Sequence, residues 1–189
     1  MIWSNLGFAF VAALAGVSAS PLEARRNTAE FKDEMIASHN FFRSQHSAEP
    51  LVWDEELAQK AQAWADTCKF RHASTGENLA YTTRCSHCGY FTNMWGSERL
   101  KYDYNNPGFS SATGHFTQVV WKQSTNLGCG WKRCHGGSGK ANGYYVVCRY
   151  TPPGNYQGRF KKNVGRQISG KSTDIYQPEA PTGGQTGAK

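Results

Sequence analysis

The most informative segment of this sequence is Gly114-His115-Phe116-Thr117-Gln118-Val119-Val120-Trp121-Lys122-Gln123-Ser124. Its middle part is a short run of β-branched and aromatic side chains, a composition that is typical of strands. We therefore predict a strand over residues 116–121, which His115 opens.

Strand patterns continue after this segment. Residues 127–133 and 144–150 are short runs of similar composition, and the glycine-rich segment 136–139 between them fits a hairpin connection. Strands that follow one another so closely predict an antiparallel sheet.

Helical patterns come before the strands. Apolar side chains recur every three or four residues from Thr28 to Gln45, and His39 lies on the same face, so this range predicts a first helix. A second helix is predicted after Asp54, a residue type that caps helix N-termini. Residues 90–104 predict a third helix, which Asn105-Asn106-Pro107-Gly108 ends. Helices first and strands later indicate an α+β fold with helices packed against the sheet.

The two ends of the chain differ from its middle. Residues 1–19 contain an apolar run followed by small residues, which predicts a secretory signal peptide cut after Ala19. The leader 20–28 carries Arg25-Arg26, which is either a processing site for a secretory-pathway protease or an exposed pair without a function. Residues 29–165 are predicted to form one domain. The tail 166–189 has little apolar periodicity and much Gly, Pro, Ser, Thr and Gln, which predicts disorder.

The charge of the chain restricts its partners. The 189 residues carry a net charge of +7, and the basic residues are scattered along the sequence. A basic surface can meet nucleic acid, anionic lipid or an acidic glycan, but a secretory signal argues against nucleic acid. The apolar run of the signal is shorter than the roughly 20 residues that a transmembrane helix needs. We therefore expect an extracellular protein with no transmembrane segment in its mature chain.

Six cysteines in a chain with a secretory signal predict three disulfides. Six cysteines allow about fifteen pairings, and the spacing alone does not select one. Zinc is the alternative, because Cys85-Ser86-His87-Cys88 contains half of a structural zinc motif. The spacing of Cys129 and Cys134 differs from that of a second half, so disulfides are favoured.

Four polar residues are candidates for a functional site: His72, Glu77, Glu98 and His115. The first two flank a segment rich in Ser, Thr and Gly, which predicts a loop over residues 72–78. If the four side chains converge, they can bind a divalent cation such as zinc or magnesium, with the carboxylates as ligands or as partners that orient the imidazoles. The same set suits general acid–base catalysis. The alternative is four unrelated polar residues.

Four segments together resemble the signatures of one protein family. Residues 114–124 and 145–156 resemble its first and second signatures, and Gly76-Glu77-Asn78-Leu79 and Trp95-Gly96-Ser97-Glu98 match two further blocks in the same order. The family is the CAP superfamily of cysteine-rich secretory, antigen 5 and pathogenesis-related proteins. The chain is similar above all to its fungal and plant pathogenesis-related members. The resemblance implies a disulfide-stapled, three-layer α-β-α sandwich with a central antiparallel sheet, and one cleft that the four polar residues line.

The resemblance also implies a disulfide pairing. In the family pattern Cys68 pairs with Cys134 and Cys129 pairs with Cys148, which leaves Cys85 to pair with Cys88. The last pair lies where some relatives have a pair of different spacing.

The resemblance suggests a function as well. Related fungal and plant proteins are associated with sterols and other small hydrophobic ligands, through a loop whose aromatic spacing is matched by Tyr102, Tyr104 and Phe109. Alternatively, Tyr102 and Tyr104 finish the third helix and pack inward. We therefore expect a secreted sterol- or lipid-binding protein. The alternatives are a metal-dependent hydrolase and an effector that acts on an extracellular protein partner.

Overall fold

The computed structural model of the protein describes residues 29–178. The signal peptide and leader predictions fall on residues 1–28, outside the described residues. Within residues 29–178, no helix is long and apolar enough to cross a membrane.

Helices and strands alternate along the chain before a final hairpin. The helices are α1 (Ala29–Gln45), α2 (Glu55–Asp66), α3 (Tyr90–Ser97, continued by a 3-10 turn over Glu98–Lys101), α4 (Gly114–Val119) and α5 (Phe160–Asn163). The strands are β1 (Val52–Trp53), β2 (Glu77–Thr82), β3 (Asn126–His135) and β4 (Asn142–Thr151). They form one sheet in the order β1-β3-β4-β2, antiparallel except that β1 runs parallel to β3.

Helices cover both faces of this sheet. Side chains of α1, α3 and α4 pack on one face in a core that includes Met35, Trp95 and Phe116. Helix α2 packs on the other face through its small residues. Its approach is close, since a Cβ at Gly130 would lie 2.4 Å from the backbone of Gln62. The predicted three-layer sandwich is therefore confirmed.

Several element predictions are confirmed with small changes of bounds. The first helix and the strands β3 and β4 lie where the patterns placed them. The side chain of Asp54 caps α2 by accepting a hydrogen bond from the backbone N–H of Leu57 (2.9 Å). The stretch predicted as a loop contains the start of β2, which the sequence patterns did not reveal.

The predicted strand over residues 116–121 is wrong, because this stretch begins as helix α4. The Glu98 carboxylate accepts hydrogen bonds from the first N–H groups of that helix, those of His115 and Phe116 (both 3.0 Å). At the other end the guanidinium of Arg43 donates to the carbonyls of Val119 (3.0 Å) and Trp121 (2.9 Å). Both ends are thus stabilised by side chains from distant parts of the sequence, which outweighs the β-propensity of the residues.

The predicted disorder does not hold for residues 166–178, which we call the C-terminal strap. The strap contains no helix or strand, yet its carbonyl groups surround Arg99, which donates to Ser172 (2.8 Å) and Lys171 (2.9 Å). Asn93 and Tyr176 exchange two further hydrogen bonds of 2.9 and 2.8 Å. Residues 179–189 of the predicted tail lie outside the described residues.

The strap also brings the two ends of the described chain together. A cavity of about 830 Å³ is lined by the start of α1, including Glu30 and Glu34, and by the end of the strap, including Ile175 and Pro178. Residues near both ends therefore border one cavity.

Two of the three predicted disulfides are present: Cys68–Cys134 and Cys129–Cys148. The first ties the loop after α2 to the end of β3, and the second joins directly opposed residues of β3 and β4. The Cys85–Cys88 pairing stays a prediction.

Candidate functional site

A cleft of about 440 Å³ opens where β2 begins, beside the start of α4. Three of the four candidate residues line it: His72, Glu77 and His115. The rest of the lining comes from three segments: residues 74–78, the start of α4 with the segment before it, and the chain after β4. The residues are Ser74, Thr75, Gly76, Asn78, Phe109, Ser111, Gly114, Gly154 and Asn155. The structure thus brings together segments that are far apart in sequence.

Glu77 is the buried acid of this cleft. Its Oε1 lies 2.7 Å from the guanidinium of Arg149. Its Oε2 accepts hydrogen bonds from the backbone N–H groups of Ala73 (2.8 Å) and Ser74 (3.2 Å). Burial by itself raises the pKa of Glu77, but the nearby His72, these two N–H groups and Arg149 together lower that pKa to about 2. Glu77 therefore carries a negative charge that its neighbours neutralise.

The pKa of Glu77 predicts a stability that depends on pH. Because the folded-state pKa is lowered, this carboxylate stabilises the fold above its unfolded-state pKa, and the stabilisation is lost as the pH falls through about 2. In Glu77→Gln we expect the free energy of unfolding at neutral pH to fall by about 2–3 kcal/mol, and the difference from wild type to shrink in acid. Urea unfolding at several pH values measures this.

Glu56→Gln is the matched control, because Glu56 is an exposed carboxylate that pairs with Lys60 one helical turn away. The free energy of unfolding of Glu56→Gln should stay within about 0.5 kcal/mol of the wild type at every pH. A difference between Glu77→Gln and wild type that does not change with pH would contradict the assignment.

Glu98 and His115 form the second acid–imidazole pair. The Nδ1 of His115 lies 2.7 Å from Oε1 of Glu98, whose other oxygen accepts the N–H groups at the start of α4. Since an ionised carboxylate only accepts, Nδ1 carries the hydrogen, and Nε2 is the remaining acceptor of the neutral ring. The imidazole also stacks on Trp95, with ring centroids 6.2 Å apart. Glu98 thus holds both the helix and the ring in place.

A buried chain of hydrogen bonds supports the cleft from below. Burial lowers the pKa of His39 to about 3, so its ring is neutral. Its Nδ1 donates to the carbonyl of Met35 (2.6 Å), so its Nε2 accepts from the hydroxyl of Tyr150 (2.8 Å). The Asn78 amide donates to Tyr150 (3.1 Å) and to the carbonyl of His115 (3.0 Å). These positioning residues were not predicted, although His39 falls on the predicted inner face of the first helix.

The shared cation site stays a prediction, and the contacts resemble its version in which the carboxylates orient the imidazoles. The four candidate residues form two separate pairs, and His72 Nδ1 lies 3.7 Å from Glu77 Oε2. Between residues 29 and 178, no three side chains of His, Cys, Asp or Glu are grouped so that they could hold one metal ion. Both carboxylates instead accept hydrogen bonds from N–H groups, so their observed role is to orient other groups.

The three predicted ligand-binding aromatics occupy different environments. Tyr102 is buried, with its ring 5.8 Å from that of Phe116. Tyr104 is half-buried and stacks on His46 at 6.3 Å. Phe109 alone of the three is exposed, at 59%, and its ring rests on Gly114 at the rim of the cleft. Tyr102 therefore packs inward and Tyr104 does so in part, but both residues follow the 3-10 turn, which ends at Lys101, and do not finish the helix.

Comparison with known proteins agrees with this architecture. Residues 36–150 match the sequence model of the cysteine-rich secretory protein family, CAP. The chain is 40% identical over 146 residues to Protein PRY2 of Saccharomyces cerevisiae, covering 71% of this chain and 41% of that protein. It is 36% identical over 152 residues to Pathogenesis-related protein 1 of Arabidopsis thaliana, covering 77% of this chain and 89% of that protein.

A solved structure shares the fold. The crystal structure of Hookworm Platelet Inhibitor superposes with a TM-score of 0.61 at 22% identity, covering 74% of this chain and 79% of that one. Residues 36–150, which match the family's sequence model, contain both disulfides and the four candidate residues His72, Glu77, Glu98 and His115. The chain belongs to the cysteine-rich secretory protein family, CAP.

Proposed function

We propose that this protein is an extracellular binding protein that takes a small amphipathic lipid of the sterol class at the cleft. The observation that carries the proposal is the position of Phe109, an exposed aromatic ring on the rim of a cleft whose lining also offers polar groups such as those of Ser74 and His115. The cleft volume of about 440 Å³ is within the range of small-molecule sites. Two disulfides favour an oxidising, extracellular location.

A sterol has an apolar body and one hydroxyl group, and the site has a side chain suited to each. Its flat apolar body can cover the ring of Phe109, which is otherwise left in water. Its single hydroxyl can donate to Nε2 of His115, which Glu98 holds in the accepting tautomer. The hydroxyl groups of Ser74 and Thr75, which also line the cleft, offer further partners.

Phe109→Ala tests the proposal. We expect the Kd for a fluorescent sterol to rise about tenfold, because the variant loses the apolar contact of one aromatic ring. Binding is measured by fluorescence titration, and a thermal melt should show an unchanged fold because Phe109 lies at the surface.

Ile168→Ala is the matched control, since Ile168 is 68% exposed and does not line the cleft. It should bind sterol like the wild type. Equal affinity in Phe109→Ala and wild type, or no saturable binding in either, would overturn the proposal. The tyrosines are unsuitable for this test, because Tyr102 packs in the core.

The site gives less support to a metal-dependent hydrolase. In the predicted form of this reaction, with His72 and His115 as metal ligands, Glu77 or Glu98 must be available to activate water. Both oxygens of Glu98 already accept N–H hydrogen bonds, and those of Glu77 are engaged by Arg149 and by backbone N–H groups. A cation bound by all four predicted ligands does not fit this set of contacts.

A further inference from the structure

A second surface of the molecule combines exposed aromatic rings with positive charge. Phe70 and Tyr81 are 44% and 40% exposed, and their rings meet edge to face with centroids 4.7 Å apart. The exposed cations Lys69, Arg71 and Lys140 lie next to them in the fold. We call these five residues the basic aromatic patch. None of them lines the cleft.

The patch is built on a rigid frame. Lys69 and Lys140 face each other in a β-bridge, and the N–H of Phe70 donates to the carbonyl of Gly139 (2.9 Å). The Tyr145 hydroxyl donates to the carbonyl of Lys69 (2.9 Å). The Cys68–Cys134 disulfide fixes the same loop to β3. The loop therefore presents Phe70 and its neighbours in one orientation.

The charges of the patch are not cancelled by acids nearby in the chain. Residues 67–76 and 128–150, which build most of the patch, contain no Asp or Glu. The two acids that flank the first segment, Asp66 and Glu77, pair with Lys132 (3.8 Å) and Arg149 (2.7 Å), which lie outside the patch. Lys69 and Arg71 lie over the ring of Trp64, at 5.9 and 5.1 Å from its centroid. These contacts hold both cations at the protein surface beside the exposed rings.

We propose that the basic aromatic patch docks this protein onto an anionic phospholipid bilayer. Aromatic rings bordered by Lys and Arg suit the bilayer interface, where rings lie at the level of the headgroups and cations meet the anionic phosphates. The rings of Phe70 and Tyr81 stand edge to face, so they do not form the flat platform on which a sugar ring would stack. A bilayer is therefore the favoured partner over an acidic polysaccharide.

Docking would also orient the cleft. Arg71 precedes His72, a cleft residue, so the patch and the cleft mouth are neighbours in the chain. The inference does not rest on the proposed function, because it concerns different residues and can be tested without sterol.

Co-sedimentation with sterol-free vesicles tests the inference. The wild type should bind vesicles of phosphatidylcholine containing phosphatidylserine, should not bind phosphatidylcholine alone, and should be released by salt. Lys69→Glu/Arg71→Glu should lower the partition coefficient more than about tenfold, since each cation contributes separately at an anionic surface. Lys140→Glu, on a different segment, should act in the same direction.

Lys161→Glu/Lys162→Glu is the matched control, because it changes the net charge equally at exposed residues of α5. It should lower the partition coefficient by less than about threefold. An equal loss in both double variants would mean that overall charge alone drives binding, which overturns the patch. Absence of vesicle binding, or patch-dependent binding to a sulfated polysaccharide in its place, would overturn the bilayer as partner.

Discussion

We expect the replacement of Arg43 by methionine to lower the free energy of unfolding by about 3–5 kcal/mol. Arg43 is fully buried and donates to four backbone carbonyls, those of Glu49 (2.7 Å), Val119 (3.0 Å), Trp121 (2.9 Å) and Ser124 (2.9 Å). Burial lowers its pKa to about 10, so it is charged at neutral pH. Methionine fills much of the space, but the four carbonyls lose the guanidinium as their donor, while that of Trp121 keeps another, the backbone N–H of Ser124 (3.1 Å).

The loss should be measured by urea unfolding, followed by the fluorescence of the buried Trp121 and its neighbours. Arg159→Met is the matched control, because Arg159 is exposed and stacks on Tyr156 at the surface. Its effect should stay within about 0.5 kcal/mol. A loss below about 1 kcal/mol in Arg43→Met would show that water or rearranged backbone replaces the guanidinium.

Removing the Cys68–Cys134 disulfide is expected to cost about 4 kcal/mol. In the chain-entropy account, a cross-link stabilises the fold by restricting the unfolded chain, and the effect grows with the loop that it closes. This disulfide joins residues 66 positions apart. Cys68→Ala/Cys134→Ala should therefore fold with a clearly lower midpoint of urea unfolding than the wild type.

The Cys129→Ala/Cys148→Ala variant provides the comparison. That disulfide joins residues 19 positions apart, so its removal should cost about 3 kcal/mol by the same account. Equal or reversed losses in the two variants would contradict the entropic explanation. Packing would then dominate, since Cys129 and Cys148 are both buried in the core.

Local patterns predicted the parts of the fold that depend on local physics. The spacing of apolar residues located α1, and the composition of two short runs located β3 and β4. Helix α4 was not predicted because its ends are stabilised by Glu98 and Arg43. These residues are distant in the sequence, so local patterns do not reveal their contacts. The contacts of the strap were not predicted for a related reason. Its backbone carbonyl groups accept hydrogen bonds from Arg99, and every residue type has such a group.

The candidate site was predictable in its residue types and not in its pairing. The family resemblance placed His72, Glu77, Glu98 and His115 in one region. In the structure three of them line the cleft, and Glu98 contacts His115 from outside that lining. Spacing could not show that Arg149 would neutralise Glu77, because the two residues meet only where β2 pairs with β4. The roles of the carboxylates therefore became clear only from their contacts.

The closeness of the start of α1 to the end of the strap suits this domain to insertion into other proteins. Because Glu30 and Pro178 border one cavity, the polypeptide enters and leaves the domain at neighbouring points. Such a domain can be inserted into a host loop or circularly permuted without long connections. The exposed hairpin at Gly137–Gly139 is the natural place for new ends, and its opening would leave the cleft and the buried histidine chain intact.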